Sequence, residues 1–296
     1  MSDTAVQPRR APARPTGTVS GPPGRTPGPL THTAVMTARA LRLSSRNIDA
    51  LITSLALPIM LMLIFVYFFG GAIDTGPEYD TYVMYVVPGV LLLSAGFGAA
   101  TTATAVSEDM KGGIIDRFRS LDVGGTPVLA GHVAASTVRN LCATALVFGV
   151  ALLIGFRPAA TWGGWLLAAA VLIAYIVALS WLSAAIGLLA RTPEAASGFT
   201  FFMSFLPYPS SAFVRTESMP DWLHGFADHQ PITPAIESLR GLLLGQEMGG
   251  TPWIALAWAA GMLTAAVAGG GAPVSLRPRG PPPPERAGAG RAGAGG

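Results

Sequence analysis

The strongest constraint is a single run, Trp162–Ala190 (WGGWLLAAAVLIAYIVALSWLSAAIGLLA), which carries no charged residue. About 20 apolar residues in a helix cover the hydrocarbon core of a bilayer. In lipid every backbone N–H and C=O must be satisfied within the protein, which selects helix over open strand. Five further stretches share this character. They are Leu51–Ile73, Tyr82–Val106, Val133–Phe156 with a polar beginning, Gly198–Val214, short and broken by Pro207 and Pro209, and the Ala- and Gly-rich Trp253–Gly271. The chain is 12% charged, about half the share of an ordinary soluble domain. The expected fold class is an all-α integral membrane protein with six transmembrane helices.

Orientation follows from the placement of Lys and Arg. All 19 fall on one side of the expected spans except Arg157, Arg215 and Arg240. A multi-pass protein of the cell membrane with both termini cytoplasmic is expected. The first outer loop holds Asp74, Glu78 and Asp80 and no basic residue. The third runs from Arg215 to Pro252, and its apolar residues Trp222, Leu223, Phe226 and then Ile236, Leu239, Leu243 have helical spacing. Short amphipathic helices there lie at the outer interface or dip back into the protein.

Residues 1–32, rich in Pro and Arg, have the composition of a disordered tail, followed by a transmembrane domain over 33–271. Just ahead of the first span, Arg39, Arg42 and Arg46 fall within about 60° of one another on a helical wheel. A basic amphipathic helix here suits the interface with anionic membrane lipids, and a solvated helical leader is the alternative. Residues 272–296 are almost entirely Gly, Ala, Pro and Arg, the composition of a disordered tail or of GC-rich DNA in a shifted frame.

Between the second and third spans lies SEDMKGGIIDRFRSL, Ser107–Leu121, with the only lysine of the chain, Lys111. On a helical wheel Ile114, Ile115, Phe118 and Leu121 fall within about 120°, and Asp116, Arg117, Arg119 and Ser120 fill the rest. Gly112-Gly113 opens this short amphipathic helix and Gly124-Gly125 closes it. Carboxylates mixed among the basic residues suit an anionic membrane poorly. A groove on a partner protein suits both the stripe and its mixed rim.

Glu108-Asp109-Met110-Lys111-Gly112-Gly113-Ile114-Ile115-Asp116-Arg117-Phe118-Arg119-Ser120-Leu121 resembles the cytoplasmic loop of ABC type-2 permeases, in particular the daunorubicin-resistance subgroup of bacterial drug exporters. A second block matches too: RTPEAASGF at Arg191–Phe199, SSAFV at Ser210–Val214, MPDWL, and PITPAIESLRGLLLG at Pro231–Gly245. The chain departs from the pattern at Asp122 and Arg215, where proline is common. The resemblance implies a permease subunit that dimerises, with itself or a close paralogue, and exports a hydrophobic or amphiphilic compound such as a drug or antibiotic. It also implies that ATP is bound by a separate cytoplasmic ATPase docking on the loop as a coupling helix. Glu108, Asp109, Lys111, Gly112, Ile114, Ile115, Asp116, Arg117, Phe118, Arg119 and Leu121 would carry that role. No nucleic acid partner is implied.

The residues themselves limit the rivals. A P-loop needs lysine after glycine in G-x-x-x-x-G-K-[ST], and Lys111 follows Met110, so this chain holds no Walker-type site and no cofactor of its own is expected. An ion-coupled carrier ordinarily places acids inside spans at a cost of about 2.5–3.5 kcal/mol each, and the six stretches hold none. Arg139, near the start of the third, can snorkel. His224 and His229 lie near Asp221 and Asp228, but the spacing fits no zinc pattern, so no metal site is assigned. No arrangement resembles a catalytic nucleophile or carboxylate pair, which leaves a membrane-bound lipid-modifying enzyme as the weakest alternative. Cys142, in an apolar run, is expected to be an inert packing residue.

Overall fold

The computed structural model describes residue 37 and residues 48–73, 79, 81–111, 125–190 and 192–276. Among the described residues the structure is helical, without strands. Helix α1 spans Ile48–Ile64 and continues as a π-helical turn, Phe65–Phe69. Then come α2 (Tyr82–Lys111), α3 (Gly125–Leu153) and α4 (Trp162–Leu189). Four shorter or peripheral helices follow: α5 (Pro193–Ser204), α6 (Asp221–His229), α7 (Ile232–Leu244) and α8 (Thr251–Leu276). Four helices, Tyr82–Lys111, Leu129–Leu153, Trp162–Leu189 and Thr251–Gly269, are long and apolar enough to cross a bilayer, and Leu55–Phe69 is a shorter apolar helix.

Helix α2, apolar on all sides through its first half, is the buried centre of the bundle, with Val86, Val87, Val90, Leu93, Ala95 and Ala103 fully covered. Helices α1, α3, α4, α5 and α7 all pack on it, and α8 packs outside α4 and α7. The outer helices leave most of their apolar windows bare, as surfaces that meet lipid do. Pro58 and Pro88 sit inside α1 and α2. Helix interiors tolerate proline where neighbours satisfy the freed carbonyls.

Local sequence sets the ends. Thr161 caps α4 by accepting from Gly164 N at 3.1 Å, and Thr192 caps α5 by accepting from Ala195 N at 3.1 Å, with Pro193 at the first helical position. Helix α7 closes on Gly245 at φ 72°, where Gln246 N donates to Gly241 O at 2.8 Å, the double-bonded glycine stop that spares the last carbonyls. A side chain at Gly245 would also meet Ala159 O at 2.7 Å. The same end is stitched to the α3–α4 connection by Ala159 N donating to Leu243 O at 2.9 Å.

The fifth apolar stretch departs from a simple span. Its helix stops at Ser204, and the chain tightens into turns held by i→i−3 bonds, such as Phe205 N to Phe202 O and Tyr208 N to Phe205 O, each 3.0 Å. Pro207 and Pro209 have no N–H to continue an i→i−4 ladder. The two amphipathic segments between Arg215 and Pro252 are helices α6 and α7. Their fates differ: Trp222 and Phe226 of α6 are exposed, whereas α7 is buried along most of its length. Cys142 is exposed on the side of α3 rather than packed in the core, a correction to the reading of an apolar run as interior. Helix α8 runs past Gly271 to Leu276.

Candidate functional site

The charged block begins on the last turns of α2, where Glu108 and Lys111 are exposed and Asp109 turns toward α3. His132 Nε2 lies 3.0 Å from Asp109 Oδ2, joining the end of α2 to the start of α3. Lys111 Nζ stands 4.0 Å from Glu194 Oε2 at the start of α5, a solvated pair that contributes little. Three helix ends therefore meet at one end of the bundle. Gly112, Ile114, Ile115, Asp116, Arg117, Phe118, Arg119 and Leu121, and the interfacial Arg39, Arg42 and Arg46, lie outside the described residues.

Beneath that end, Val106, Leu129, Val133, Ala184 and Leu188 form a small apolar cluster separate from the main core, flanked by Met110 and Trp181. Sequence reasoning did not find what lies one turn deeper. Thr102 Oγ1 donates to Ser136 Oγ at 2.6 Å, and Ser136 Oγ is 3.0 Å from Ser180 Oγ, a buried seam of hydroxyls across α2, α3 and α4. The Arg139 guanidinium does not simply run out to the interface. Its Nη2 donates to Thr101 Oγ1 at 2.7 Å, Thr102 Oγ1 at 3.2 Å and Gly98 O at 3.3 Å. Ser, Thr and Arg satisfied across helices fasten a bundle that has no hydrophobic effect between its helices in lipid.

Of the small residues in α2, Gly98 is required by a neighbour and Gly96 is not. A Cβ at Gly98 would sit 1.6 Å from Asn140 Oδ1, whereas one at Gly96 meets nothing within 4 Å. Gly187 of α4 serves the same end of α2, since a Cβ there would sit 2.3 Å from Ala103 O.

At the opposite end, the turns after α5 are satisfied by one of their own side chains and by three from elsewhere. Pro207 O accepts from Ser210 Oγ, Pro209 O from Gln230 Nε2 at 2.6 Å, Ser211 O from Arg240 Nη2, and Phe213 O from the Tyr82 hydroxyl at 2.8 Å. Irregular backbone at membrane depth survives only when buried and bonded in this way. Arg240 is 4% exposed, donates from Nε to Tyr85 O at 3.0 Å, and stands with its guanidinium carbon 3.7 Å from the Tyr85 ring centroid. A charge-counting reading of the sequence assigns it to an outer loop; it is a buried brace.

Outside the spans, Glu217 is held below the usual carboxylate range by its own backbone N–H and by the Arg215 guanidinium, whose Nε lies 3.1 Å away. Both histidines of α6 bond backbone carbonyls: His224 Nε2 to Met219 O at 2.8 Å and His229 Nδ1 to Gly225 O at 3.0 Å.

The chain matches the model of the family described as ABC-2 type transporter over residues 31–244. It is 33% identical over 196 residues to the daunorubicin resistance ABC transporter permease protein DrrB1 of Streptomyces coeruleorubidus, covering 66% of this chain and 69% of that one. It is 23% identical over 239 residues to the probable doxorubicin resistance ABC transporter permease protein DrrC of Mycobacterium tuberculosis, covering 79% and 84%. The family match covers the charged end, the polar seam and the braced turns alike. With its all-helical bundle of membrane-length helices, the chain belongs to the ABC-2 type transporter family and is a membrane permease, a transport subunit and not an enzyme.

Proposed function

We propose that this chain is the membrane half of an ATP-driven exporter that moves a hydrophobic or amphiphilic compound out of the cell. A separate ATPase binds ATP and docks on the segment between α2 and α3. Its permease partner is a second copy or a closely related chain. Both termini lie in the cytoplasm, and α1 with its π turn and α5 with the braced turns complete six crossings. Relatives named for daunorubicin and doxorubicin resistance support a drug-like cargo.

One observation carries the reading. The charged segment hangs between two helix ends tied to each other by Asp109 and His132 and backed by the apolar cluster around Val106 and Leu188. A load on Ile114, Ile115, Phe118 and Leu121 would therefore act on α2 and α3 rather than on slack chain. Asp116, Arg117 and Arg119 would supply the polar rim around that stripe.

Gentle solubilisation of native membranes and affinity purification of the tagged chain tests this directly, with Phe118→Asp as control. A P-loop ATPase should co-purify with the wild type and be lost from the variant. Equal recovery with both removes Phe118 from the docking surface. No ATPase with either would overturn the exporter reading.

A further inference from the structure

A side groove of about 230 Å³ opens between α2, α3, α4 and α7. Its wall is hydrocarbon. Leu91, Leu141, Phe148, Trp165, Leu172 and Leu239 supply most of it, and Thr144 offers only carbon because its hydroxyl oxygen is buried. At the rim Ala145 and Ala169 are exposed, on the flank of the bundle that the bilayer would cover. Cys142, Leu146, Leu166 and Ile173 of the same two helices are exposed as well and continue an uncharged, apolar flank. Water does not settle in an apolar cavity, and an unfilled one leaves its lining atoms without partners on one side. A groove of this kind that opens on lipid is filled by hydrocarbon.

The α3 side of the groove shows how a chain would lie in it. Leu141, Thr144, Ala145 and Phe148 share one face of the helix at i, i+3, i+4, i+7 spacing, over about 10 Å of its length. Leu152 continues that face one turn on, and there the apolar character ends at a cation. Arg157 folds back from the α3–α4 connection and donates from Nη1 to Leu152 O at 2.9 Å and to Phe156 O at 3.1 Å. Phe156 in turn meets Phe148 edge to face with ring centroids 5.9 Å apart, as Trp165 does at 5.8 Å. The Arg157 side chain is exposed and pairs with no carboxylate among the described residues. By contrast, Arg215 has Glu217 and Arg240 is buried. Trp165 and Trp162 stand at the same end of α4, where aromatic rings mark the level of lipid headgroups.

We propose that the groove is a phospholipid site, in which one acyl chain lies along the Leu141–Phe148 face and the phosphate of the same molecule rests on Arg157. Volume sets how much of the chain is held. A benzene ring takes an apolar cavity of about 150 Å³, so this groove takes about nine carbons, part of one acyl chain and not a whole lipid. The rest of the molecule stays in the bilayer, which the exposed rim permits. The wholly apolar wall suits a saturated stretch of chain, and a guanidinium one turn beyond it suits a phosphate, which it binds by charge-assisted hydrogen bonds. The site does not depend on the exporter reading. It requires only that the chain sit in a bilayer, so the test reads lipid binding by this chain alone.

Native mass spectrometry of the full chain, released from a non-ionic detergent, follows a titration with palmitoyl-oleoyl phosphatidylglycerol. One saturable adduct per chain is expected ahead of any weaker series. Arg157→Gln should weaken it roughly three- to tenfold, the range of one net hydrogen bond. Ala145→Trp fills the rim with an indole and should abolish the adduct in a chain that still elutes as a single species, and Ala169→Trp should do the same from the opposite wall. Leu146→Trp places the same ring on the lipid flank outside the groove and should bind like the wild type. An unsaturable series of adducts, equal in all of these chains, would mark boundary lipid only and overturns the site. So does an adduct that survives both groove variants while they dissociate a dimer, since a second copy and not lipid then covers the groove. An affinity unchanged by Arg157→Gln, or lost equally in Leu146→Trp, overturns it too.

Discussion

Arg240→Met is the sharpest perturbation of the braced turns. Methionine keeps the length and apolar stem of the side chain but removes every donor. Ser211 O then loses its partner, Tyr85 O keeps only its place in the helical ladder, and the Tyr85 face loses its cation. Each buried acceptor left unsatisfied costs about 1–3 kcal/mol, and a desolvated cation over an aromatic face adds about 2 kcal/mol. Two effects pull the other way. Burying the guanidinium itself carries a penalty that methionine escapes, and measured interhelical hydrogen bonds in a bilayer average only about 0.6 kcal/mol. The net expectation is a loss of about 2–4 kcal/mol, a large share of a typical stability of about 5–15 kcal/mol. Equilibrium unfolding in mixed micelles, titrated with a denaturing detergent, measures it. Tyr82→Phe is the companion variant, removing only the donor to Phe213 O, and should cost about 1 kcal/mol. Ser211 and Phe213 lie two residues apart, so the double variant should lose less than the sum, because one freed segment cannot be freed twice. If Arg240→Met unfolded within about 0.5 kcal/mol of wild type, in the range of neutral surface substitutions, that would refute the bracing argument.

Two further outcomes follow from the packing and the topology. Gly98→Ala drives a Cβ into Asn140 Oδ1 and should destabilise by about 1–3 kcal/mol, and adding Asn140→Ala should recover most of it by removing both the clash and the unpartnered amide; the same unfolding titration reads both, and a Gly98→Ala chain as stable as wild type refutes the close approach. In intact cells carrying Cys142→Ser, a membrane-impermeant maleimide should label Ser218→Cys in the turn before α6 and leave Thr4→Cys unlabelled, and the reverse pattern would invert the proposed orientation.

Four of the six expected spans coincide with membrane-length helices, because hydropathy over about 20 residues is a local property, and Trp162–Leu189 forms its helix almost to the residue. Facing was not legible. In a membrane protein the lipid side and the packed side of a helix are equally apolar, so periodicity gave no reason to turn Cys142 outward or Asn140 inward. Gly98 shows the same limit from the other side: only the position of Asn140 separates it from Gly96. The prolines in the fifth stretch announced a break. What makes the break affordable came from Tyr82, Gln230 and Arg240, far along the chain, and no local pattern names such partners. Arg240 was misjudged because hydropathy scores a charge without its acceptors. The charged end was half legible: Asp109, Lys111 and the RTPEAASGF block that holds Glu194 were singled out, but not that Lys111 and Glu194 meet, and His132 carried no signal of its own.

Helix α2 ties these observations together, since Glu108–Lys111 and the SSAFV and ESLRG segments, so far apart in sequence, sit at its two ends. It is 30 residues long, about 45 Å at 1.5 Å per residue. Its last turns carry Glu108, Asp109 and Lys111; its first turn offers the Tyr82 hydroxyl and the Tyr85 carbonyl to the braced turns and to Arg240. Between those ends it touches its neighbours too closely to slide past them. A Cβ at Gly89 would sit 2.8 Å from Ala212 Cβ, Gly98 admits Asn140, and Ala103 O lies against Gly187. Packed interfaces of this kind move as units instead of deforming gradually. In the proposed exporter, a load taken up at the Lys111 end would therefore shift α2 with α3 and α4 and disturb the carbonyl brackets around Ser211 and Phe213 at the far end. Those brackets, held by single side chains and not by a helical ladder, are where the bundle can yield most readily.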